Sequence, residues 1–127
     1  MHSKMTYGYT GNILRVDLSR NKIRVETPDD TVYRTYIGGR TLALYYLLKE
    51  FPPKTDAFDE KNILIFANGV LAGAPLSGAS RFSVASKSPL TNTYGEAEAG
   101  GYFAPELKFA GYDAIIVKGK TKSPVFL

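Results

Sequence analysis

The sequence predicts a domain that mixes β-strands with α-helices, and three patterns support that class. Apolar and polar residues alternate with a strand-like period of two over residues 13–26, and continuous apolar runs occupy 63–67 and 114–117. Apolar residues within 41–51 recur with the period of a helix. Hydrophobic residues make up 44% of the 127-residue chain, so there is enough apolar surface for a core.

Residues 11–27 are predicted to form a β-hairpin. The alternation over 13–18 gives the first strand, residues 19–22 supply turn chemistry, and residues 23–26 give the returning strand. The apolar residues expected to face the core are Leu14, Val16 and Leu18.

Two helices are predicted after the hairpin. Asp29 or Asp30 suits the N-cap of the first helix, which would end near the glycine pair Gly38-Gly39. The second helix is expected over 41–51, because Pro52-Pro53 ends it. Its predicted apolar stripe consists of Leu44, Leu47, Leu48 and Phe51.

The remaining chain is predicted to alternate between strands and one helix. The uniformly apolar run at 63–67 indicates a strand that is buried on both faces. A strand over 81–86 follows, and residues 91–99 are expected to be irregular. The last predicted elements are a helix over 102–110, a strand over 113–118 and the start of another strand at 123–127.

The composition excludes several classes of function. Without cysteine, the chain can build neither an iron–sulfur cluster nor a zinc–thiolate site, and its single histidine, His2, lies in a terminus (1–8) expected to be disordered. The net charge of +4 is spread along the chain, which favours a solvated surface over nucleic-acid binding. No apolar run reaches about 18 residues and no signal core is present, so we expect a cytoplasmic protein without a membrane span.

The stretch from Asn68 to Gly111 is rich in Gly, Ala and Ser and is the candidate functional region. It matches neither the dinucleotide-binding fingerprint nor the P-loop. Gly69, Gly73 and Gly78 therefore indicate either a tightly packed structural loop or a loop that cradles a ligand.

A second part of this stretch predicts an anion site. Gly100-Gly101 precedes a predicted helix, whose unsatisfied N–H groups favour a phosphate, and Arg81 is a candidate charged donor to it. Glu98 would repel a bare phosphate but could join one through a magnesium ion, or be a surface residue. Arg40 is either a further anion contact or a surface arginine. No internal histidine is available to activate a serine, so no catalytic residue is predicted.

Several longer motifs carry a resemblance to a known family. They are YTGNILRVDLS, YIGGR, ILIFANGVLAG, SRFSVASKSPLT and AGGYFAPELKFAGYDAIIVKGKTKSPVFL, in this order along the chain. From about Tyr9 to Leu127 the chain resembles the N-terminal region of the aldehyde:ferredoxin oxidoreductase family, which are tungsten or molybdenum bis-pyranopterin enzymes. The resemblance implies an α+β domain of curved sheets and helices over residues 9–127 that forms a platform under the cofactor.

The resemblance also implies roles for individual residues. Arg81 matches an arginine that contacts pterin phosphate, and Gly100 matches a glycine against the cofactor, with Ala99 and Gly101 in the same loop. Glu98 matches a position commonly occupied by asparagine, which contacts a magnesium ion between the two pterin phosphates. Glutamate at this position either keeps a magnesium contact or weakens the site.

For the whole protein, the resemblance implies oxidation of an aldehyde to a carboxylic acid with ferredoxin as electron acceptor. In the family a second glycine-rich pterin loop further along completes this domain, and the [4Fe–4S] cluster has no ligands in this chain, so the domain is expected to be incomplete and inactive alone. We expect it to need the remainder of the enzyme or a complementary subunit, and its apolar edges predict self-association. The alternative is a non-catalytic scaffold module that keeps the fold without the cofactor.

Overall fold

A computed structural model describes residues 8–126 of the chain as a six-stranded sheet with three helices, an α+β fold as the sequence predicts. The strands are β1 Ile13–Asp17, β2 Lys22–Glu26, β3 Ile63–Asn68, β4 Phe82–Lys87, β5 Tyr94–Ala99 and β6 Ala114–Lys118. The helices are α1 Asp30–Tyr36, α2 Gly39–Glu50 and α3 Phe103–Phe109. None of these three helices has the length and apolar character that crossing a membrane requires.

The strands lie in the order β2-β1-β6-β3-β4-β5. The predicted hairpin is confirmed, because β1 and β2 pair antiparallel with Leu14 opposite Val25. The β1–β6 pair is parallel, and every other neighbouring pair is antiparallel. The first strand, β1, and the last strand, β6, are therefore neighbours, and β3 and β6 lie at the centre of the sheet.

The core lies between the sheet and α2, which packs on β3 and β4. The buried strand residues that meet the helix include Ile65 and Ile116, which are 0% and 1% exposed. On α2 the buried residues are Leu42, Ala43, Tyr46 and Leu47. The predicted stripe is therefore only partly right: Leu47 is buried and Phe51 packs against the core, but Leu48 is 74% exposed. The buried face of α2 is displaced from the predicted one because the ring of Tyr46 is buried while its hydroxyl donates a hydrogen bond to Glu26.

The predicted inner face of the hairpin is also only partly right. Val16 is buried, but Leu14 and Leu18 are half-buried, and the residues of β1 that face α2 are Ile13 and Arg15. Arg15 can take a buried position because two carboxylates and an aromatic ring receive its guanidinium. A prediction of buried positions from apolar residues alone does not find such an arginine.

Three further predictions about local structure need correction. Residues 94–99, expected to be irregular, form the edge strand β5. The strand over 63–67 is covered by α2 on one face only, because Leu64 on the other face is 40% exposed. No strand forms over 123–126, and Leu127 lies outside the described residues.

The helix boundaries follow their predicted signals only in part. Helix α1 ends at Tyr36 with Ile37 rather than a glycine as its C-cap, and α2 begins at Gly39, two residues before the predicted start. Asp29 caps α1 by accepting a hydrogen bond from the Thr31 backbone N–H at 2.9 Å, as predicted.

Gly111 follows α3 with φ of +94°, a conformation that glycine adopts without steric cost. The terminus predicted to be disordered lies outside the described residues except for Gly8, whose carbonyl accepts a hydrogen bond from Lys108.

Candidate functional site

An open groove of about 250 Å³ lies where the start of α2 approaches the start of β4. Its walls come from the α1–α2 connection, the residues that follow β3, and the facing ends of β4 and β5. The polar and glycine residues that line it are Gly38, Gly39, Arg40, Gly69, Arg81, Ser83 and Glu98. The groove therefore gathers two arginines and one carboxylate from parts of the chain that are far apart in sequence.

Close backbone packing builds the α2 side of the groove. A Cβ atom added to Gly38 would lie 2.7 Å from the Asn68 carbonyl oxygen, so only glycine allows this approach to the end of β3. The Thr41 hydroxyl donates to the carbonyl oxygens of Tyr36 and Gly38, at 2.5 and 3.0 Å. This hydroxyl links the end of α1 to the start of α2, which places Arg40 at the mouth of the groove.

The pairing of β4 with β5 brings Arg81 close to the glycine bend. Phe82 pairs with Ala99, so Arg81 and Gly100 follow as neighbours just beyond the paired residues. The Arg81 carbonyl accepts a hydrogen bond from the Gly69 backbone N–H at 3.0 Å, which fixes the chain at this point. The structure thus places the predicted residues Arg81, Ala99, Gly100 and Gly101 in one neighbourhood.

The bend itself differs from the predicted helix start. Gly101 has φ of +103°, and its N–H donates to the Ser80 hydroxyl at 3.3 Å. Helix α3 begins two residues later, at Phe103, and has only seven residues. The exposed backbone at Gly100, rather than the dipole of a long helix, is what this bend offers to an anion.

Glu98 lies on the face of β5 that is directed towards α2. Its carboxylate accepts a hydrogen bond from Arg40 Nη2 at 2.6 Å, and Arg40, which is 60% exposed, is thus a surface arginine with an ion-pair partner. That hydrogen bond and the Arg40 charge lower the pKa of Glu98, and the charge of Arg81 lowers it further. Glu98 is therefore ionised at neutral pH, with guanidinium groups near it from both sides of the groove.

Glu96 is a component that sequence reasoning missed. Its Oε1 atom lies 3.6 Å from Arg40 Nε, too far for a hydrogen bond, and the atom is buried without a hydrogen-bond partner among the described residues. The signal was the alternation of Glu96 and Glu98, which a strand directs to one face. It was overlooked because the segment was not recognised as a strand.

The glycine loop after β3 packs tightly at one of its three glycines and borders open space at the other two. Gly73 has φ of +85°, and a Cβ atom there would lie 3.0 Å from the Phe109 ring. Gly69 and Gly78, in contrast, line an open cavity of about 320 Å³ together with Arg81, and Gly69 also lines the groove. The loop therefore packs against α3 while its first residue contributes to the site.

A metal bound by this chain alone finds no support in residues 8–126. No group of three or more His, Cys, Asp or Glu side chains there is arranged to hold an ion. A cation at Glu98 would need further oxygen ligands from another molecule, such as phosphate groups.

Comparisons with known proteins agree with this architecture. Residues 13–127 match the family model described as aldehyde ferredoxin oxidoreductase, N-terminal domain. Over 121 residues the chain is 48% identical to the tungsten-containing aldehyde ferredoxin oxidoreductase of Pyrococcus horikoshii and 47% identical to that of Pyrococcus abyssi. Each alignment covers 95% of this chain but 20% of the relative, so the chain spans about a fifth of the length of these curated relatives.

A solved structure shows the same fold. The active site complex BamBC of benzoyl coenzyme A reductase, in complex with 1,5-dienoyl-CoA, superimposes with a TM-score of 0.90 at 39% sequence identity. The match covers 94% of this chain and 18% of that one. Because the family model matches residues 13–127, which is nearly the whole chain, the chain belongs to the aldehyde ferredoxin oxidoreductase family, as an N-terminal domain of that kind.

Proposed function

We propose that residues 9–127 form part of the platform that holds a tungsten bis-pyranopterin cofactor in an aldehyde ferredoxin oxidoreductase. The observation that carries the proposal is that Arg81 lines an open groove and lies next to the exposed Gly100, just beyond the paired residues of β4 and β5. Tungsten is preferred to molybdenum because the relatives at 48% and 47% identity are tungsten-containing enzymes.

The groove has the chemistry that phosphate groups require. No carboxylate of residues 8–126 forms an ion pair with Arg81, so its guanidinium is available to a ligand. Planar guanidinium groups match phosphate oxygens with two parallel hydrogen bonds. Ala99, Gly100 and Gly101 are exposed, and only small side chains there allow a large ligand to approach the backbone.

Glu98 has a separate role in this proposal. Its ionised carboxylate would supply one oxygen ligand to a magnesium ion that joins the cofactor phosphates, because a hard cation prefers oxygen ligands and keeps the others from phosphate and water. A carboxylate in place of a neutral amide makes this contact more dependent on the neighbouring arginines, which offset its charge.

The redox chemistry would be supplied by the bound cofactor. The described residues of this chain would bind and orient that cofactor, and we assign no acid, base or nucleophile among them. The aldehyde site, the [4Fe–4S] cluster and the contact with ferredoxin would lie in the remainder of the enzyme or in a complementary subunit. We assign the assembled protein to the cytoplasm, where electron transfer to ferredoxin takes place.

A second candidate function is a cofactor platform in an enzyme with another substrate. The superposition on the benzoyl coenzyme A reductase complex, at a TM-score of 0.90, favours it. The groove residues recognise phosphate in either case, so activity assays with aldehydes and with aromatic acyl-CoA substrates separate the two functions.

The test is the replacement Arg81→Ala in the complete enzyme. Loss of a charge-assisted contact costs about 1.5–3 kcal/mol, so we expect tungsten and pterin content per protein to fall by about tenfold or more. Elemental analysis and pterin fluorescence measure both quantities. Arg34→Ala is the matched control, because Arg34 is an exposed arginine of α1 paired with Asp30 and outside the groove. Unchanged tungsten content in Arg81→Ala would reject the proposed role.

A further inference from the structure

We infer that Arg40 is a second anion-binding arginine of the groove, held in place by Glu98 and Glu96 and directed at a phosphate group of the same ligand. The inference rests on the proposed function of the groove as a phosphate-binding platform. Arg40 lies at the start of α2, on the wall of the groove opposite Arg81.

The first argument is that Arg40 is only partly used within the protein. One of its nitrogen atoms, Nη2, donates to Glu98 at 2.6 Å, and Nε lies 3.6 Å from Glu96. Nη1 has no hydrogen-bond partner in residues 8–126, and the side chain is 60% exposed. Because a guanidinium carries five N–H donors, Arg40 can keep its contact with Glu98 and still bind an anion.

The second argument is that the two glutamates orient the guanidinium in advance. Glu98 holds Nη2 with a hydrogen bond, and the more buried Glu96, at 16% against 38% side-chain exposure, forms a longer ion pair with Nε at 3.6 Å. An arginine whose geometry is already fixed loses less side-chain entropy when it binds a ligand.

The third argument concerns the charge of the groove. Glu98 by itself would repel a phosphate, but it lies in hydrogen-bond contact with Arg40 and within the electrostatic range of Arg81. The two arginines that line the groove exceed its single lining carboxylate, and when Glu96 beside Arg40 is counted the formal charges of the four side chains balance. Arg40 is what makes the acidic residue compatible with an anionic ligand.

The test measures the binding of inorganic pyrophosphate, as a probe, to the full-length protein produced without the cofactor. Isothermal titration calorimetry is applied to wild type, Arg40→Gln, Arg81→Gln and the matched control Arg34→Gln. Loss of one charge-assisted contact should weaken binding by about tenfold in each of the first two variants. Arg34→Gln should stay within about twofold of wild type, since Arg34 also pairs with one carboxylate but lies outside the groove.

The outcomes separate this inference from the proposed function. Wild-type affinity in Arg40→Gln together with weakened binding in Arg81→Gln would overturn the role of Arg40 and leave the proposed function intact. Weakened binding in Arg40→Gln alone would support Arg40 and count against the proposed role of Arg81. Absence of pyrophosphate binding to wild type at millimolar concentration would overturn both.

A conservative variant keeps the test valid if Arg40→Gln does not fold. Arg40→Lys keeps the positive charge but loses the planar fork, so binding should weaken by about threefold or more while the circular dichroism spectrum is unchanged. A lysine variant with wild-type pyrophosphate affinity would overturn the inference, because a point charge would then suffice and no oriented guanidinium would be needed.

Discussion

Two clusters on the same face of the sheet each combine one arginine with two glutamates, and they differ in how completely the arginine is used. The Arg15 cluster contains Arg15, Glu26 and Glu50. The Arg40 cluster contains Arg40, Glu96 and Glu98. Both place residues of α2 against strands, the first near its end and the second at its start.

Each of the three nitrogen atoms of the Arg15 guanidinium donates a hydrogen bond to a carboxylate. The guanidinium donates to Glu26 at 2.6 Å and to both oxygens of Glu50 at 2.8 and 2.5 Å, and it lies 5.0 Å from the centre of the Tyr46 ring. Its side chain is only 10% exposed. Arg40, in contrast, is 60% exposed and makes one side-chain hydrogen bond within the described residues.

The comparison suggests a physical criterion for separating structural arginines from ligand-binding ones. A buried guanidinium must satisfy its donors inside the protein, because leaving a charged donor without a partner is costly. A guanidinium at a binding site must keep donors for the ligand while its orientation is fixed. Arg15 meets the first condition and Arg40 the second, although both have two carboxylate neighbours.

The largest expected effect comes from breaking the Arg15 cluster. In Arg15→Met, the carboxylates of Glu26 and Glu50 lose their cation while they remain largely buried, at 21% and 25% exposure. Breaking such a pair costs about 3 kcal/mol, so the free energy of unfolding from urea titrations should fall by about that amount.

Arg40→Met is the matched control for this prediction. The Arg40 pair is exposed, and exposed pairs contribute about 0–1 kcal/mol, so the urea midpoint should move little. Equal destabilisation by the two substitutions would contradict the distinction between a saturated and an open arginine.

A smaller loss of stability is expected from Gly38→Ala, which alters the backbone that places Arg40 at the groove. The added Cβ would lie 2.7 Å from the Asn68 carbonyl oxygen, so the start of α2 must move away from β3. Such overpacking costs about 1–3 kcal/mol. We expect a reduced melting temperature together with reduced tungsten content in the complete enzyme.

Gly100→Ala provides the control for steric effects. A Cβ there would lie 3.5 Å from the Ser80 hydroxyl oxygen, an ordinary contact, so the melting temperature should stay close to wild type. Reduced tungsten content without destabilisation would place Gly100 in the ligand contact. A Gly38→Ala protein as stable as Gly100→Ala would show that the α1–α2 connection tolerates displacement.

The sequence predicted the elements of this fold better than their faces. Caps and turns are local signals, so Asp29 and the hairpin were found where predicted. The faces of β1 and α2 depend on polar groups with distant partners. Arg15 is buried because Glu26 and Glu50 receive it, and Tyr46 is buried because Glu26 accepts its hydroxyl. Those partners are 11, 35 and 20 residues away.

The candidate site was predicted in part for the same reason. Arg81 and Gly100 carry signals of their own, a cation and a flexible bend, and the structure brings them together. For Arg40 the sequence left an anion contact and a surface arginine as alternatives, and its ion pairs could not be predicted, because the glutamate partners lie 56 and 58 residues further along the chain on an edge strand. That strand has the low-propensity sequence YGEAEA and forms by pairing with β4.

The smallest expected effect separates the two clusters by acid titration. Partial burial opposes ionisation of Glu26, but the Arg15 hydrogen bond and charge and the Tyr46 hydroxyl outweigh it, so the pKa of Glu26 lies below its ordinary value of 4.5. A carboxyl with a lowered pKa binds its proton more readily in the unfolded chain, so it stabilises the fold above pH 4.5 and stops doing so as the pH falls through its folded pKa.

The stability difference between wild type and Glu26→Gln should therefore be largest near neutral pH and close progressively below pH 4.5. Urea titrations at a series of pH values from neutral to about 3 measure this difference. Glu98→Gln should show a much smaller difference at every pH, because water and salt screen the exposed Arg40 pair. A pH-independent difference for Glu26→Gln would mean that Arg15 holds the amide as well as the carboxylate. Shape rather than charge would then stabilise the buried cluster, and saturation by charged partners would no longer distinguish Arg15 from Arg40.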